Sequence, residues 1–364
     1  DLHSFPTRRS SDLRTSRPCV RVLEAYQVVP PNYKIILNAN ENPYDFPDAL
    51  KKAFCERMMA TTFNRYPDPT AAAVREELAA YTGVAADQIV VGCGSDEIMA
   101  MLGQTFIAPG DVVIGHAPSF SMYEIWSVIA GGRFLWVPDN AAYHHNVEGI
   151  INTAKENNAK LIYLCSPNNP TGGLFPRHDV IQILEETDAL VVLDEAYIEF
   201  KSPEDSLARL VDSYGNLLVM RTLSKAFGLA GVRCGYCLGP KPLIDMISKV
   251  KSPYNLNKLT QEAALIGLQN RDRLLARVKT LNAERHRVYR ALLAFDLGRV
   301  FPTAANFIYF ETPRGAAIEK AMRARSILVK TFGATGGGLT PFRLTIGAPE
   351  ENDAVLDAIA EALQ

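Results

Sequence analysis

The sequence has no excess of charge of one sign, because 38 lysines and arginines face 40 aspartates and glutamates for a formal net charge of −2. It also lacks any apolar run near the roughly 20 residues that cross a bilayer. These two absences argue against a nucleic acid or a membrane as the partner. With 364 residues, of which 48% are hydrophobic, the chain is long enough for one large or two ordinary globular domains.

The sequence also lacks a disulfide framework. Its six cysteines are scattered and lie mostly in apolar stretches, which predicts buried thiols in a reducing compartment, with the cytoplasm as the default location. Cys234 and Cys237 fall in a predicted strand where residues three apart face opposite sides, which disfavours a redox pair. His144 and His145 have no cysteine or acidic cluster to support a metal, so we predict a surface pair and no metal site.

Short apolar runs alternate with helical patterns through the first two thirds of the chain. This rhythm predicts an α/β fold with a wound, mostly parallel sheet that is covered on both faces. Near Ser252 the pattern changes to a smaller α+β unit, which begins with one long helix over residues 260–293. We predict a disordered or non-native leader without the apolar core of a signal peptide, an arm packing on the small domain, a large domain and a small domain (residues 1–13, 14–45, 46–253 and 254–364).

Polar side chains follow four of the predicted strands. Ligands of wound α/β sheets bind beyond the carboxyl ends of the strands, so these groups are expected to share one crevice. The segments supply a glycine turn before a helix, an amide, a carboxylate with a phenol, and a lysine with a second basic residue (residues 92–97, 166–172, 194–197 and 221–233).

The glycine turn at Gly92 and Gly94 invites a dinucleotide-binding interpretation. Glu97 stands where the third glycine of that fingerprint is required, which disfavours a NAD-dependent dehydrogenase. What survives is a helix start whose free N–H groups at Ser95, Asp96 and Glu97 can bind a phosphate. A plain helix capped by Ser95 is the alternative for this turn alone.

Lys225 and Asp194 are the strongest candidates for chemistry. A lysine in a glycine-containing loop can form a Schiff base with a carbonyl cofactor when desolvation or nearby cations lower its pKa. A carboxylate that ends a buried strand is costly unless paired, and it can hold the protonated nitrogen of a pyridine. An ordinary surface lysine and a helix-capping aspartate are the alternatives.

The remaining polar groups match the other functional groups of pyridoxal 5'-phosphate, which are its phenolate and its phosphate. Asn169 and Tyr197 can donate hydrogen bonds to the phenolate of such a ring. The phosphate has candidate donors in Thr222, Ser224 and Arg233. Aldehyde, ring nitrogen, phenolate and phosphate therefore each have a candidate partner, which predicts pyridoxal phosphate as the cofactor.

The order of these motifs resembles the fold-type-I pyridoxal-phosphate-dependent aminotransferases, and among them the histidinol-phosphate aminotransferase family. The sequences DEAYIEF at residues 194–200 and RTLSKAFGLAGVR at residues 221–233 carry the resemblance most specifically. PNNPTG at residues 167–172 is shared with the wider superfamily. Further matching segments extend the resemblance over nearly the whole chain (residues 37–43, 65–69, 94–97, 118–123, 305–308 and 343–347).

The resemblance implies a role for each matching residue around the cofactor. Lys225 binds the aldehyde and then moves a proton as the general base, while Asp194 binds the ring nitrogen. Asn169 and Tyr197 bind the phenolate, and Phe120 stacks on the ring where many relatives carry tyrosine. The phosphate is held by backbone groups of the helix start and by polar side chains of the lysine segment (Ser95, Asp96, Glu97, Thr222, Ser224 and Arg233).

The resemblance also implies partners and a substrate. Tyr66 is expected to reach the phosphate of the neighbouring subunit's cofactor, which implies a homodimer with shared active sites. Amino donors and oxo acids would meet Tyr26, Asn169, Lys330 and Arg343. Lys330 stands in place of the first of two usual arginines and binds phosphate as a point charge; a solvated surface charge is the alternative.

The activity implied by the resemblance is transamination between L-histidinol phosphate and 2-oxoglutarate in histidine biosynthesis. Arg343 could bind an α-carboxylate as readily as a phosphate. An aromatic amino-acid aminotransferase and a phospho-amino-acid decarboxylase on the same scaffold are therefore the alternatives.

Overall fold

The computed structural model of the chain describes residues 16–25, 32–333 and 337–364. The predicted leader over residues 1–13 and the candidate substrate residue Tyr26 lie outside these ranges. No helix in the described ranges is long and apolar enough to cross a membrane.

The described chain alternates helices with strands. The helices are α1 (Pro18–Arg21), α2 (Asp48–Met59), α3 (Ala72–Thr82), α4 (Gly94–Phe106), α5 (Met122–Ala130), α6 (Val147–Glu156), α7 (Arg177–Glu186), α8 (Lys241–Val250), α9 (Lys258–Gln269), α10 (Arg271–Ala294), α11 (Gly315–Ala324) and α12 (Pro349–Leu363). The strands are β1 (Ile35–Leu37), β2 (Ile89–Gly92), β3 (Val112–Ala117), β4 (Arg133–Pro138), β5 (Leu161–Cys165), β6 (Leu190–Asp194), β7 (Leu217–Thr222), β8 (Gly235–Leu238), β9 (Arg299–Val300), β10 (Phe307–Thr312), β11 (Ile327–Thr331) and β12 (Thr340–Thr345).

The larger sheet has seven strands in the order β2-β8-β7-β6-β5-β3-β4. The five strands from β7 to β4 run parallel, whereas β8 is antiparallel to both β2 and β7. This confirms the predicted α/β class with a mostly parallel sheet. Cys165, Asp194 and Met220 are register partners, so the carboxyl ends of β5, β6 and β7 lie side by side at one edge.

Both faces of this sheet are covered, which explains its continuous apolar strands. In β5, Ile162 and Leu164 pack into one core cluster, while Leu161 and Tyr163 pack into the cluster on the opposite face. Every residue of β5 is therefore buried. Each such aliphatic side chain contributes about 1.5–3 kcal/mol relative to an exposed position, so the strands form a rigid platform for the side chains at their ends.

The smaller sheet has five strands in the order β1-β11-β12-β10-β9. Its strand β1 comes from the N-terminal arm and pairs parallel with β11, with Ile35 opposite Ile327 and Leu37 opposite Val329. The other pairs are antiparallel. Arm residues 35–37 thus belong to this sheet, while Arg17 donates a hydrogen bond to the Ala130 carbonyl of α5 on the larger unit.

The single long helix predicted over residues 260–293 is wrong, because two helices, α9 and α10, occupy this stretch. They are separated at Asn270, whose backbone has a φ of −116° and a ψ of 26°. The Asn270 side-chain amide donates to the Ile266 carbonyl at 2.8 Å. An asparagine that bonds locally to the backbone competes with helix continuation, which accounts for the break.

Candidate active site

A cavity of about 920 Å³ opens at the carboxyl ends of the central strands. Most residues predicted for the site line it, from both sheets: Ser95, Asp96, Phe120, Asn169, Asp194, Tyr197, Thr222, Ser224, Lys225, Arg233, Lys330 and Arg343. Glu97 and Tyr66 are not among the lining residues, and Tyr26 lies outside the described residues. The four strand ends singled out in the sequence therefore do converge on one crevice.

Lys225 lies in the loop after β7 and is partly buried. Its Nζ donates a hydrogen bond to the Ala39 carbonyl at 2.8 Å and stands 5.8 Å from the centroid of the Tyr197 ring. Burial and, after it, the positive charge of Arg343 lower the pKa of the Lys225 amine to about 8. The neutral fraction of this amine at neutral pH is therefore far larger than that of an ordinary lysine, as a nucleophile and base requires.

Asp194 is the last residue of β6 and is buried. Its carboxylate accepts a hydrogen bond from the Tyr123 hydroxyl at 2.7 Å and one from the Ala196 amide at 3.0 Å. Burial raises the pKa of Asp194 to about 6, although both hydrogen bonds oppose this shift. None of the ion pairs between described residues includes Asp194, so the protonated nitrogen of a pyridine ring would supply the cation that this carboxylate lacks.

A buried ion pair joins the segment that follows β6 to the last residues of strand β7, which ends at Thr222. Arg221 Nη2 donates to Glu199 Oε1 at 2.6 Å, and the Tyr81 hydroxyl donates to the same oxygen at 3.0 Å. Both charged side chains are buried. Removing one partner from such a pair costs about 3–5 kcal/mol, because the other charge is left uncompensated. The pair therefore fixes the distance between the segment of Tyr197 and the loop of Lys225.

The phosphate end of the site depends on two glycines. Gly94 begins α4 with a φ of 78°, and a Cβ there would collide with the guanidinium of Arg233. A Cβ on Gly235 would collide with the backbone of Gly94 and Ser95. The absence of side chains lets Arg233 approach the helix start, where its Nη2 lies 3.2 Å from Asp96 Oδ2. Free amides and a guanidinium are the donors that a phosphate takes, so the residues present fit pyridoxal phosphate.

Thr222 and Ser224 lie beside this cradle. Thr222 Oγ1 accepts the Ser224 amide at 3.1 Å and lies 2.9 Å from Ser224 Oγ. The Glu97 side chain turns away from the cavity, because its carboxylate accepts hydrogen bonds from the Cys93 amide and from Asn255 Nδ2. The side chain of Glu97 thus stabilises the helix start.

Asn169 and Arg343 meet in the middle of the cavity. Arg343 Nη1 donates to Asn169 Oδ1 at 2.6 Å, and Nη2 donates to the Asn38 carbonyl. The Tyr197 hydroxyl accepts a hydrogen bond from Asn40 Nδ2 at 3.0 Å. Burial raises the pKa of Tyr197 to about 12, so this phenol keeps its proton and can donate it to a bound oxyanion.

Lys330 and Arg343 are register partners on the antiparallel strands β11 and β12, so their side chains leave the same face of the small sheet. Lys330 is exposed and its Nζ lies 5.6 Å from the Phe332 ring centroid, whereas Arg343 is buried. Directly opposed like charges are destabilising. An anion bound between them would relieve the repulsion, which makes this wall suitable for a phosphate or a carboxylate.

The two predicted aromatic residues lie in different environments. Phe120 lines the cavity and meets Tyr123 edge to face, with ring centroids 5.6 Å apart. Tyr66 is 80% exposed and stacks on Tyr254 with centroids 4.4 Å apart. Tyr66 therefore contributes to the outer surface rather than to the cavity of its own chain.

The prediction that His144 and His145 form a surface pair is wrong for His145, whose side chain is only 4% exposed. The Nδ1 atoms of His145 and His116 each lie 3.2 Å from Asp139 Oδ2. The three side chains are close enough to be considered as metal ligands, with ligand atoms within 4.8 Å of one another. His116 Nε2, however, accepts the Cys165 amide at 3.4 Å, so the ring proton resides on Nδ1 and points at Asp139. Hydrogen bonding to Asp139 therefore accounts for the position of the two histidine rings. The sequence did not indicate this cluster, because His116 belongs to β3 and is far from His145 along the chain.

The N-terminal arm contributes to this site in a way that the sequence motifs did not predict. The carbonyl of Ala39 receives the Lys225 amine, and Asn40, which is buried, donates to Tyr197. Asn42 Nδ2 donates to the Ala226 carbonyl at 3.1 Å. The available signal was the segment Asn38-Ala-Asn-Glu-Asn42, which resembles the family. Its three asparagines carry no charge, and the segment does not follow one of the four predicted strands, so no local pattern suggested a role.

Residues 32–359 match the family described as aminotransferase class I and II. A solved histidinol-phosphate aminotransferase from Sinorhizobium meliloti, in complex with pyridoxal-5'-phosphate, shares the fold with a TM-score of 0.87 and 24% identity, over 97% of this chain and 98% of that one. Fold and site thus define a fold-type-I aminotransferase of class I and II.

Two curated relatives narrow this assignment. A histidinol-phosphate aminotransferase of Caldanaerobacter subterraneus subsp. tengcongensis is 38% identical over 344 residues, which is 94% of this chain and 97% of the relative. One of Thermococcus gammatolerans is 37% identical over 343 residues, or 94% of this chain and 96% of the relative. The chain belongs to the histidinol-phosphate aminotransferase family.

Proposed function

We propose that the protein is a pyridoxal-phosphate-dependent transaminase acting between L-histidinol phosphate and 2-oxoglutarate, with imidazole acetol phosphate and L-glutamate as products. The observation that carries the proposal is one cavity that holds a lysine of lowered pKa, a buried carboxylate without a cation, and two opposed cations on the facing wall. This set suits an amine-transfer cofactor on one side and an anionic substrate on the other. The reaction would serve histidine biosynthesis.

The side of the cavity at the strand ends of the large sheet, which carries Asp194 and Lys225, is called the cofactor wall. Its contacts support a separate role for each residue. Pyridoxal phosphate supplies an aldehyde that takes up amines and a ring that accepts electrons from the substrate's Cα. Lys225 Nζ would hold the aldehyde carbon, with loss of water, until the substrate's amine displaces it. The freed Nζ would then take the proton from the substrate's Cα, because its lowered pKa leaves it partly neutral. Asp194 would keep the ring nitrogen protonated and so favour the flow of electrons into the ring. Tyr197 and Asn169 would orient the ring through its phenolate oxygen.

The side of the cavity that carries Lys330 and Arg343 from the small sheet is called the substrate wall. It would bind the anionic end of the donor. Arg343 is held by Asn169 and Asn38, so its guanidinium is oriented before the substrate arrives. Lys330 would add a point charge from the neighbouring strand. The names of the curated relatives favour histidinol phosphate over an aromatic amino acid or a decarboxylation substrate.

A homodimer with shared active sites is part of the proposal. Tyr66 and Tyr254 form an exposed aromatic stack. Met59 and Phe63, which shortly precede Tyr66 along the chain, also have exposed apolar side chains. Solvent exposure of several large apolar side chains typifies an interaction surface. A second copy covering this surface would place Tyr66 near its partner's cavity, as the family resemblance implies.

We also propose a cytoplasmic location. All six cysteines are free thiols, and Cys165, Cys234 and Cys237 are buried. Such thiols suit a reducing compartment.

A substrate panel tests the proposed function. The purified protein with pyridoxal phosphate should form glutamate from 2-oxoglutarate with L-histidinol phosphate as donor, far faster than with L-phenylalanine at equal concentration. Equal or faster turnover of phenylalanine would replace the proposal by an aromatic aminotransferase. Release of carbon dioxide from a phosphorylated amino acid without glutamate formation would replace it by a decarboxylase.

A further inference from the structure

Tyr123 is a buried tyrosine behind the cofactor wall whose hydroxyl reaches the catalytic carboxylate. It is the second residue of α5, is fully buried, and donates its hydroxyl to Asp194 Oδ2 at 2.7 Å. Its ring packs in the hydrophobic core. The hydroxyl is the part that packing leaves unexplained.

We propose that Tyr123 is a positioning residue for Asp194, whose phenol keeps the carboxylate ionised and aimed at the cavity and so sets the affinity for a protonated pyridine. The inference rests on the proposed cofactor, and it adds a residue to the machinery that binds it.

Toward the ionised carboxylate of Asp194, the Tyr123 phenol can act only as a donor. Burial and the neighbouring Asp194 raise the pKa of the Tyr123 phenol far above its ordinary value, so the proton stays on the phenol oxygen. A hydrogen bond donated to a carboxylate stabilises the charged form. Of the two hydrogen bonds that Asp194 accepts, this is the one from a side chain, since the other comes from the Ala196 amide.

The other groups around Asp194 do not replace this bond. Asp96, from the start of α4, raises the pKa of Asp194, while Lys225, from the loop after β7, lowers it. The Cys165 thiol and the Tyr197 phenol also face the carboxylate, and burial raises the pKa of both, so they stay neutral. Lys225 itself would be consumed by its bond to the cofactor, which leaves Tyr123 as the side chain that continues to support the ionised form, beside the Ala196 amide.

Tyr163 provides an internal control for the loss of the Tyr123 hydroxyl. Its ring stacks on that of Tyr123 with centroids 4.7 Å apart and an interplanar angle of 10°. Tyr163 is equally buried, yet its hydroxyl has no hydrogen-bond partner among the described residues. Tyr123→Phe and Tyr163→Phe therefore remove the same atom from the same stack, and only the first removes a bond to Asp194.

The test measures the binding of pyridoxine 5'-phosphate to the full-length protein freed of cofactor. This probe carries an alcohol in place of the aldehyde, so it cannot bond to Lys225. Its Kd is measured by calorimetry across pH for the wild type, Tyr123→Phe and Tyr163→Phe. The probe's own ionisations are the same in all three, so differences between the profiles report on the protein.

We expect the acid limb of the Tyr123→Phe profile to move up by about one pH unit, which weakens binding roughly fivefold at pH 6. Tyr163→Phe should follow the wild type. An unshifted Tyr123→Phe profile overturns the inference, and so does an equal shift in Tyr163→Phe, which would indicate packing of the two rings. A wild type that does not bind the probe at all would instead overturn the proposed cofactor.

A second variant covers the case in which Tyr123→Phe does not fold. Replacing Tyr123 by 3-fluorotyrosine keeps the shape and makes the phenol a stronger donor. The acid limb should then move to lower pH, opposite to the Tyr123→Phe shift. An unchanged limb in this variant would contradict the inference.

Discussion

The two walls of the active-site cavity are built in different ways. The cofactor wall comes from adjacent strand ends of one parallel sheet, where Asp194 and Lys225 are placed by buried strands that lie next to each other. The substrate wall comes from the small sheet, and its Arg343 is held by contacts to Asn169 and Asn38 from distant parts of the sequence. Its second cation, Lys330, is exposed.

This difference separates chemistry from recognition. On the cofactor wall, burial raises the pKa of Asp194 to about 6 and lowers that of Lys225 to about 8. Both pKa values are therefore close to neutral pH, where a group can both take up and release a proton. On the substrate wall, opposed positive charges would, under the proposed function, select an anion without taking part in proton transfer. We therefore expect substitutions on the cofactor wall to abolish the reaction and substitutions on the substrate wall to change mainly which donor is used.

The largest expected effect is that of Lys225→Ala. Loss of both the nucleophile and the base should reduce the rate of glutamate formation by more than about 10⁴-fold. The visible absorption band of the protein with its cofactor should disappear at the same time. Lys330→Ala, on the opposite wall, is the matched control and should keep the band. An unchanged spectrum in Lys225→Ala would show that another amine holds the cofactor.

Arg343→Ala should have the next largest effect and should act on the substrate. Its guanidinium is a buried donor, and truncating one partner of such a charge-assisted contact costs about 2–5 kcal/mol, which corresponds to a loss of about 30-fold to 5,000-fold in kcat/KM for histidinol phosphate. The visible band should remain, in contrast to Lys225→Ala. A loss of less than about twofold would remove Arg343 from the substrate wall.

The same division explains how much could be predicted from the sequence. Asp194 ends one apolar strand, and Lys225 comes three residues after the end of the next. The rule that ligands bind beyond strand ends is therefore enough to predict that these two residues lie in the same site. The asparagines at positions 38, 40 and 42 act through contacts to residues more than a hundred positions away, and no local pattern encodes such pairs. The break at Asn270 was missed because a helical apolar pattern continues on both sides of it.

The next prediction concerns pH and the cofactor wall. The Lys225 amine reacts with an aldehyde only when unprotonated, and burial with the charge of Arg343 lowers its pKa to about 8. The rate at which cofactor-free protein takes up pyridoxal phosphate should therefore rise about tenfold per pH unit below that value and level off above it. Stopped-flow absorbance measures this rate.

Arg343→Ala links the two walls in the same experiment. Removing this positive charge stabilises the ammonium form of Lys225, so the plateau of the uptake rate should begin at higher pH than in the wild type. An unchanged pH profile would mean that the charge of Arg343 does not contribute to the Lys225 pKa. The walls would then be electrostatically independent.

The smallest expected effect is that of Lys330→Arg, and it tests whether the exposed cation takes part in recognition. An ammonium binds phosphate as a point charge, whereas a guanidinium can form two parallel hydrogen bonds. Lys330→Arg should therefore lower KM for histidinol phosphate about threefold and leave KM for phenylalanine unchanged. Lys330→Met, which keeps most of the side-chain length without the charge, should raise only the first value. Because Lys330 faces Arg343 across β11 and β12, equal KM values in all three proteins would mean that Arg343 alone binds the anion and that Lys330 is a solvated charge at the cavity edge.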